Sequence, residues 1–287
     1  MDRHTLDKLM KDLELLQGLS KAYATIASAR MQNTRQSVLS NRDFLYELDV
    51  IFKEVRANFR RQVKQMTKKR KGGGITFIPH NGKTASVLLS ANTGLYGSVV
   101  PETFRLFAKE IIEKGTEATI VGKLGLSYYI QQFPNTPYTY FDFPDYGKNK
   151  EDLGLLIKHL VQYEDIHIFY GKFKSLVNQV PDVYNISAQN PFDTAGVDDK
   201  NIAKYLFEPS LEEILVFFET EMFTSLFEQA VSEGQLAKFA SRMISMDRAG
   251  EKIKEELEKS KIQRMRLMHA ESNKKIINTF ASQTLWQ

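Results

Sequence analysis

The sequence contains no cysteine. This absence excludes disulfides, thiolate nucleophiles and cysteine-ligated metal sites. Long hydrophobic runs are also missing, because no segment approaches the roughly 18 apolar residues that a membrane-spanning helix needs. The first residues, Met1–His4, do not form the apolar core of a signal peptide. We therefore expect a cytoplasmic protein.

Proline is absent from both ends of the chain, since all eight prolines fall between Pro79 and Pro209. Residues 2–71 contain a single glycine, Gly18, and their apolar residues recur at steps of three and four. This spacing predicts one long helix with a near-heptad apolar seam, which would extend roughly 100 Å. Such a helix needs a partner along its length. The predicted seam residues are Leu6, Leu9, Leu13, Leu16, Leu45, Leu48, Phe52, Val55 and Phe59.

A second long helix is predicted after Pro209. Ser210 and Glu213 form the capping-box pattern Ser-x-x-Glu at its start, and no proline follows before Thr284. Its predicted seam includes Met243, Met246, Ile253 and Leu257. Because the two helices have similar lengths and stand at opposite ends of the chain, we expect them to pack antiparallel.

The middle of the chain, which begins at Gly72–Gly74, alternates short apolar runs with helical segments. That alternation predicts a largely parallel sheet. The predicted strands are Ser86–Leu89, Ala118–Val121, Tyr138–Phe143 and Ile166–Tyr170, and the predicted helices are Pro101–Lys114, Lys123–Gln132 and Asn149–Tyr163. Two hairpins are predicted, one pairing Ile75–Ile78 with Ser86–Leu89 and one pairing Phe173–Val180 with Val183–Ser187.

The predicted fold class is α/β. Segments 1–71 and 208–287 form a long antiparallel two-helix coiled coil, and residues 72–207 form an inserted Rossmann-like α/β domain.

No motif in the insert completes a catalytic or cofactor site. Gly82-Lys83-Thr84 resembles the end of a phosphate-binding loop, but Phe77 stands where the first glycine is needed and a strand follows. Gly94–Gly97 occupies the place of a ligand turn, although a structural tight turn is favoured. Asp142 and Asp145 suit either an acid–base pair or a solvated turn, and the turn is favoured. The five histidines lack metal-ligand spacing. We predict no catalytic residue, cofactor or metal.

Residues 56–71 hold eight basic and no acidic side chains. Such a band is able to bind nucleic acid, a membrane surface or an acidic protein. The favoured interpretation is an ordinary helix end whose cations complement the helix dipole.

Several ordered motifs together resemble one family. They are Ser90–Gly97, Val121–Gly125, Phe207–Leu215 and Ala240–Ala249, with Leu19–Ala22 and Ile26–Arg30 near the start. These segments are similar to conserved stretches of the gamma subunit, the central rotor stalk of F-type rotary ATPases. The chain departs from the family pattern at Tyr23, Lys238-Phe239, Arg248 and Met268-His269, which suggests a divergent paralogue such as the F-like ATPases of wall-less bacteria.

The resemblance implies a non-catalytic rotor shaft inside a hexamer of alpha- and beta-type subunits, coupling ATP hydrolysis or synthesis to rotation. Further implied partners are an epsilon-type subunit and a membrane rotor ring carrying hydrogen-ion transport, but not nucleic acid. The complex would lie at the cytoplasmic face of the membrane. The implied hexamer contacts are Tyr23, Arg30, Arg242, Met246, Asp247, Met268 and His269. The implied docking residues at the foot are Arg56, Arg60, Arg61, Lys64 and Tyr96.

Three alternatives stay open from the sequence. An F-like motor would drive another output, such as gliding motility. A free-standing coiled-coil adaptor would dock through the basic band at residues 56–71. A small-molecule enzyme would use the α/β insert.

Overall fold

The computed structural model describes residues 2–58, 80–147, 149–187 and 210–284. Along the chain, one long helix comes first and another comes last. Five strands and three shorter helices lie between them in sequence. The helices are α1 (Arg3–Asn58), α2 (Val99–Lys114), α3 (Lys123–Gln132), α4 (Lys150–Leu160) and α5 (Leu211–Thr284). The strands are β1 (Thr84–Leu89), β2 (Glu117–Val121), β3 (Tyr138–Phe141), β4 (Asp165–Phe173) and β5 (Gln179–Ser187).

Side-chain caps begin both long helices. The Asp2 carboxylate accepts a hydrogen bond from the Thr5 backbone N–H at 3.1 Å. The Ser210 hydroxyl accepts one from the Glu213 backbone N–H at 3.3 Å, so the predicted cap is confirmed. The predicted continuation of α1 to residue 71 lies outside the described residues.

The chain divides into two compact units. Unit 1 comprises residues 1–28 and 242–287, and unit 2 comprises residues 29–241. The predicted domain boundaries at residues 71 and 208 stay a prediction.

Unit 1 is an antiparallel pair formed by the start of α1 and the end of α5. Arg264 Nε lies 2.6 Å from an Asp7 carboxylate oxygen, and Arg3 Nη1 lies 3.6 Å from Glu271 Oε2. The earlier residue on α1 pairs with the later residue on α5. The two helices therefore run in opposite directions.

The seam of unit 1 follows alternating steps of three and four residues, as in a coiled coil. On α5 it includes Met246, Gly250, Ile253, Leu257 and Ser260, which confirms three predicted seam residues. On α1 it passes through Leu6, Met10, Leu13, Gln17, Ser20, Ala24 and Ala27.

The sequence prediction for α1 was therefore wrong at two positions. Leu9 and Leu16 are 38% and 49% exposed. From Leu6 the seam steps to Met10 rather than to Leu9, so polar Gln17 takes the place that was predicted for Leu16.

Unit 2 contains the sheet, with strand order β3-β2-β1-β4-β5. The pairs β3–β2, β2–β1 and β1–β4 are parallel, and β4–β5 is antiparallel. Strands β2 and β3 lie on one side of β1, and β4 lies on its other side. The direction in which strands are added therefore reverses between β1 and β4. This is the topology of a doubly wound Rossmann-like sheet.

Each face of the sheet carries its own apolar core. One face packs on α4 and on α5, with Leu156, Leu160 and Phe227 almost fully buried. The other packs on α2 and α3, with Phe107 and Tyr129 fully buried. Alternate residues of β1 serve the two cores, Val87 facing the first and Leu88 the second.

The two predicted hairpins have different outcomes. Strand β1 is confirmed, with β2 on one side and β4 on the other. Ile75–Ile78, the predicted partner of β1 in the first hairpin, lie outside the described residues. The second hairpin joins β4 to β5, with Phe173 opposite Gln179. Its turn therefore falls within 174–178, where the sequence prediction had placed a strand.

Candidate functional site

The reversal of strand order between β1 and β4 marks the place where doubly wound sheets bind small molecules. Here the chain fills that place itself. Residues 230–241 of α5 are all buried, and Gly234 lies against the Tyr170 side chain. A Cβ added at Gly171 would stand 2.6 Å from a Val99 methyl. The remaining cavity measures about 20 Å³, which is close to the volume that one water needs.

The glycines after β2 serve close packing rather than ligand binding. Gly122 has a φ of 98°, and a Cβ there would lie 2.8 Å from the Ala91 backbone nitrogen. A Cβ at Gly125 would lie 2.6 Å from the Ser90 Cβ. Both glycines thus allow α3 to approach the end of β1 closely.

Asp145 ties two loops at this edge together. Its carboxylate accepts hydrogen bonds from the backbone N–H groups of Asn92 at 2.7 Å and Thr93 at 2.9 Å, and from the Thr93 hydroxyl at 2.7 Å. Burial opposes ionisation, but the Lys238 charge and these hydrogen bonds outweigh it and lower the pKa of Asp145. An acid–base role calls for a raised pKa near neutrality, so this carboxylate is a structural anion.

Asp142, the other carboxylate of the predicted pair, is exposed. One of its oxygens accepts a hydrogen bond from Asn92 Nδ2 at 2.7 Å, and the other lies 3.5 Å from Lys123 Nζ. The two aspartates thus hold the same loop from two sides. The favoured solvated turn describes Asp142 and is wrong for Asp145.

Lys238 reaches the same edge from α5. The residue is buried, and its ammonium donates a hydrogen bond to the Ser90 carbonyl oxygen at 2.6 Å. Three residues further on, the Ser241 hydroxyl donates to the Tyr96 carbonyl oxygen at 2.7 Å. The loop that was considered as a ligand turn, Gly94–Gly97, is thus fastened to α5.

The remaining titratable groups of the sheet are paired at other positions. Glu117 accepts hydrogen bonds from Lys83 at 2.6 Å and from the Tyr163 hydroxyl at 2.7 Å, which lower the pKa of Glu117. Burial and this carboxylate raise the pKa of Tyr163 to about 12. His167 Nδ1 lies 2.7 Å from Glu110 Oε1. Within the described ranges, no group of three or more histidine and acidic side chains is arranged to hold a metal ion.

The predicted hexamer contacts fall into two groups by exposure. Tyr23, Asp247, Met268 and His269 are exposed, while Arg242 and Met246 are buried. The structure brings two of them together, since the Arg242 guanidinium carbon lies 6.0 Å from the centre of the Tyr23 ring.

Arg30, the last predicted contact, is half-buried in unit 2. Its guanidinium lies over the Tyr146 ring at 5.0 Å and near the Phe239 ring at 5.9 Å. It therefore stacks inside the chain.

The predicted docking residues are mostly beyond the description. Arg60, Arg61 and Lys64 lie outside the described residues, as does the side chain of Arg56. Tyr96 is only 2% exposed, so its side chain packs within the chain and is not presented to a partner.

A second apolar stripe on α1, which we name the outer stripe, was not identified from the sequence. It comprises Leu9, Leu16, Leu19, Tyr23 and Ile26, all exposed. These residues also follow steps of three, four and seven, beside the seam. The separation of two interleaved heptad patterns would have found it, because apolar residues flanking a coiled-coil seam indicate a further packing partner.

The end of α5 presents more apolar surface. Every residue from Met268 to Phe280 is exposed, including Ile276, Ile277 and Phe280. Near the start of this stretch, Glu271 forms an ion pair with Arg3, the first residue of α1. No 18-residue stretch of any described helix is apolar enough for a membrane crossing.

These features define a class of protein: a helix–insert–helix stalk whose Rossmann-like ligand edge is filled by its own helix. Residues 4–278 match the model of the family described as ATP synthase. The chain therefore belongs to the ATP synthase family, as a divergent gamma-type subunit, the central rotor stalk that couples catalysis to rotation.

Individual relatives agree with this assignment. The chain is 22% identical to the ATP synthase gamma chain of Pelotomaculum thermopropionicum, with 94% of each chain covered. Its fold is similar to a chain in the Euglena gracilis mitochondrial ATP synthase, OSCP/F1/c-ring, with a TM-score of 0.63, 15% identity, and 99% of this chain and 95% of that one covered. A chain of the Tetrahymena thermophila mitochondrial ATP synthase central stalk and c-ring gives a TM-score of 0.55 at 19% identity, with 80% of this chain and 99% of that one covered.

Proposed function

We propose that this rotor stalk turns inside a hexamer of alpha- and beta-type subunits, with unit 1 as the part that the hexamer surrounds. The outer stripe carries the proposal. Its five apolar side chains are exposed, and the described residues of this chain do not cover them. A subunit that encloses α1 would remove this surface from water, which contributes favourably to assembly.

Charge supports the same placement. Residues 248–275 carry nine basic and five acidic side chains. This excess complements an acidic lining in the surrounding subunits. Exposed Asp247, Met268 and His269, with Tyr23, are our proposed contacts to that lining, whereas buried Arg242 and Met246 support the Tyr23 region from beneath.

We further propose that the foot of the stalk meets an epsilon-type subunit and a membrane rotor ring, at the cytoplasmic face of the membrane. Arg56, Arg60, Arg61 and Lys64 are the proposed docking residues, because their positive charge suits an acidic partner. No described residue favours the motility output, the free-standing adaptor or the small-molecule enzyme, and we propose none of these.

The test is reconstitution of the full-length chain with alpha- and beta-type subunits. The double substitution Leu16→Ser and Leu19→Ser should weaken assembly tenfold or more, since burying each leucine contributes about 1.5 kcal/mol or more. The matched control is Lys11→Ser with Glu14→Ser, exposed polar positions on the same helix, which should assemble as the unmodified chain does. Equal assembly of both double variants would contradict the proposed surface.

Removal of residues 273–287 tests the placement of the α5 end. We expect weaker assembly or less torque, because this removes the exposed residues Ile276, Ile277 and Phe280. ATPase rate and assembly that match the full-length complex would count against an inserted tip.

A further inference from the structure

Residues 142–147, which we name the clamp loop, are held at once by the sheet and by both long helices of unit 2. From the sheet side, the Asp145 carboxylate binds the backbone amides of Asn92 and Thr93. From α5, Gln235 Nε2 donates hydrogen bonds to the carbonyl oxygens of Gly147 at 3.0 Å and Pro144 at 3.4 Å. The loop thus carries polar ties to two separate elements.

The third hold on the clamp loop comes from α1. The Arg30 guanidinium lies over the Tyr146 ring, and Asn33 Nδ2 donates a hydrogen bond to the Tyr146 hydroxyl at 3.2 Å. The opposite helix contacts the same ring, because Phe239 of α5 lies edge-on to it at 5.9 Å. Tyr146 is therefore shared by the two long helices.

Lys238 adds a buried charge to this arrangement. Its ammonium binds the Ser90 carbonyl oxygen at the end of β1, and its charge favours the ionised form of Asp145 in the clamp loop. A buried ammonium that loses its hydrogen-bond acceptor is costly. Lys238 therefore holds α5 in one position against the end of β1.

Directionality distinguishes these ties from the surrounding apolar contacts. Apolar burial resists separation but has no preferred orientation, whereas charge-assisted hydrogen bonds weaken steeply when their geometry is rotated. A shaft that turns a domain needs resistance to rotation about the shaft. The apolar cores of the sheet supply cohesion, and the clamp loop supplies the orientation.

We propose that the clamp loop, with Lys238 and Asp145 as positioning residues, is the joint that transmits torque between the long helices and the sheet of unit 2. This proposal rests on the proposed rotor function. It assigns a mechanical role to the strand edge where other doubly wound proteins bind ligands.

The experiment uses the absence of cysteine, since one introduced cysteine gives one attachment point for a bead. The full-length chain is assembled with alpha- and beta-type subunits. The bead is attached either at Val177→Cys, in the exposed turn after β4, or at Lys252→Cys, exposed on α5 in unit 1. With the rotor halted, the width of the distribution of bead angles is then compared between the Lys238→Met variant and the unmodified chain.

A softened joint should broaden the angular distribution at the sheet attachment and leave it unchanged at the helix attachment. Lys238→Arg, which keeps the charge, should restore most of the stiffness. In the isolated chain, Lys238→Met should speed hydrogen exchange at the Asn92 and Thr93 amides roughly tenfold or more, because the charged hydrogen bond that holds the Ser90 carbonyl, just before them in the chain, is lost. If Lys238 only stabilised the fold, Lys238→Met would change the angular distribution equally at both attachment points.

Two further variants keep the proposal falsifiable. Gln235→Ala removes the hydrogen bonds from α5 to the clamp loop and keeps Lys238, and it should broaden the angular distribution at the sheet attachment even if Lys238→Met fails to fold. Lys83→Met breaks an exposed ion pair with Glu117 away from both long helices and should change neither attachment. The proposed joint is overturned if Gln235→Ala leaves the width of the angular distribution at Val177→Cys unchanged. It is also overturned if the distribution broadens equally at both attachment points. An unmodified chain that fails to assemble overturns the proposed function instead, and the exchange rates of the isolated chain still decide on the joint.

Discussion

Two stretches of α5 show how one helix serves opposite purposes. Residues 230–241 are buried on every face, while residues 268–280 are exposed on every face. The first stretch contains Gly234, Ala237 and Ala240, small residues that admit close neighbours, together with polar side chains that each have a partner. The second presents isoleucine, methionine and phenylalanine to solvent. A helix that is buried on all sides is held in place by its own chain, whereas exposed apolar residues on a helix indicate a surface for another chain.

The largest effect is expected one turn before the buried stretch, inside the core of unit 2. Phe227→Ala should lower the free energy of unfolding by about 3 to 5 kcal/mol, because it opens a cavity where a fully buried ring stood. Urea denaturation followed by circular dichroism measures this loss. A loss below about 1 kcal/mol would mean that the site collapses or that α5 is not fixed there.

The sequence predicted the helices more accurately than it predicted which of their residues are buried. Helix α3 was predicted at its observed bounds, and capping by Ser210 was recognised, because both depend on neighbours in the chain. The seam errors at Leu9 and Leu16 arose because two interleaved heptad patterns are equally apolar. Only the position of α5 decides which of them is covered.

The roles of Asp145 and Lys238 could not be predicted. The two residues are 93 positions apart, and nothing local in either segment indicates that both are near the end of β1. Lys238 was noted only as a departure from the family pattern. A lysine on an amphipathic helix is ordinarily solvated, so its burial depends on long-range packing.

A smaller effect is expected from pH at the polar edge of the buried stretch. The folded-state pKa of Asp145 is lowered, so its ionised form stabilises the fold above the unfolded-state pKa of about 3.9. That contribution is lost as pH falls through the lower folded-state value. Asp145→Asn should therefore cost about 1 to 3 kcal/mol at pH 7 and progressively less as the pH falls below about 4.

Urea midpoints of both chains between about pH 7 and pH 3 measure this narrowing difference. Asp142→Asn is the control, because this neighbouring carboxylate is exposed. A constant difference across the range would show that Asp145 acts through packing and not through its charge.

The smallest effect on stability is expected at the exposed end of α5. Ile277→Ala should change the free energy of unfolding by no more than about 0.5 kcal/mol, because its side chain is 66% exposed and alanine favours helix. Urea denaturation of the isolated chain checks this, and sedimentation with alpha- and beta-type subunits checks assembly. If Ile277→Ala destabilises the chain as strongly as Phe227→Ala, the contrast between the two stretches is wrong.

The seam of unit 1 has a mechanical consequence at one level. Gly250 lies beside Ser20, and Gly18 precedes Ser20 by about half a turn on α1, so both helices carry a glycine at nearly the same level of the pair. No side-chain contact demands either glycine, since nothing lies within 4 Å of a Cβ placed at Gly18 and the nearest atom at Gly250 is 3.9 Å away. Each glycine lowers helix stability by about 1 kcal/mol relative to alanine. We therefore expect the pair to bend at this level before the rest when the shaft is loaded from one side.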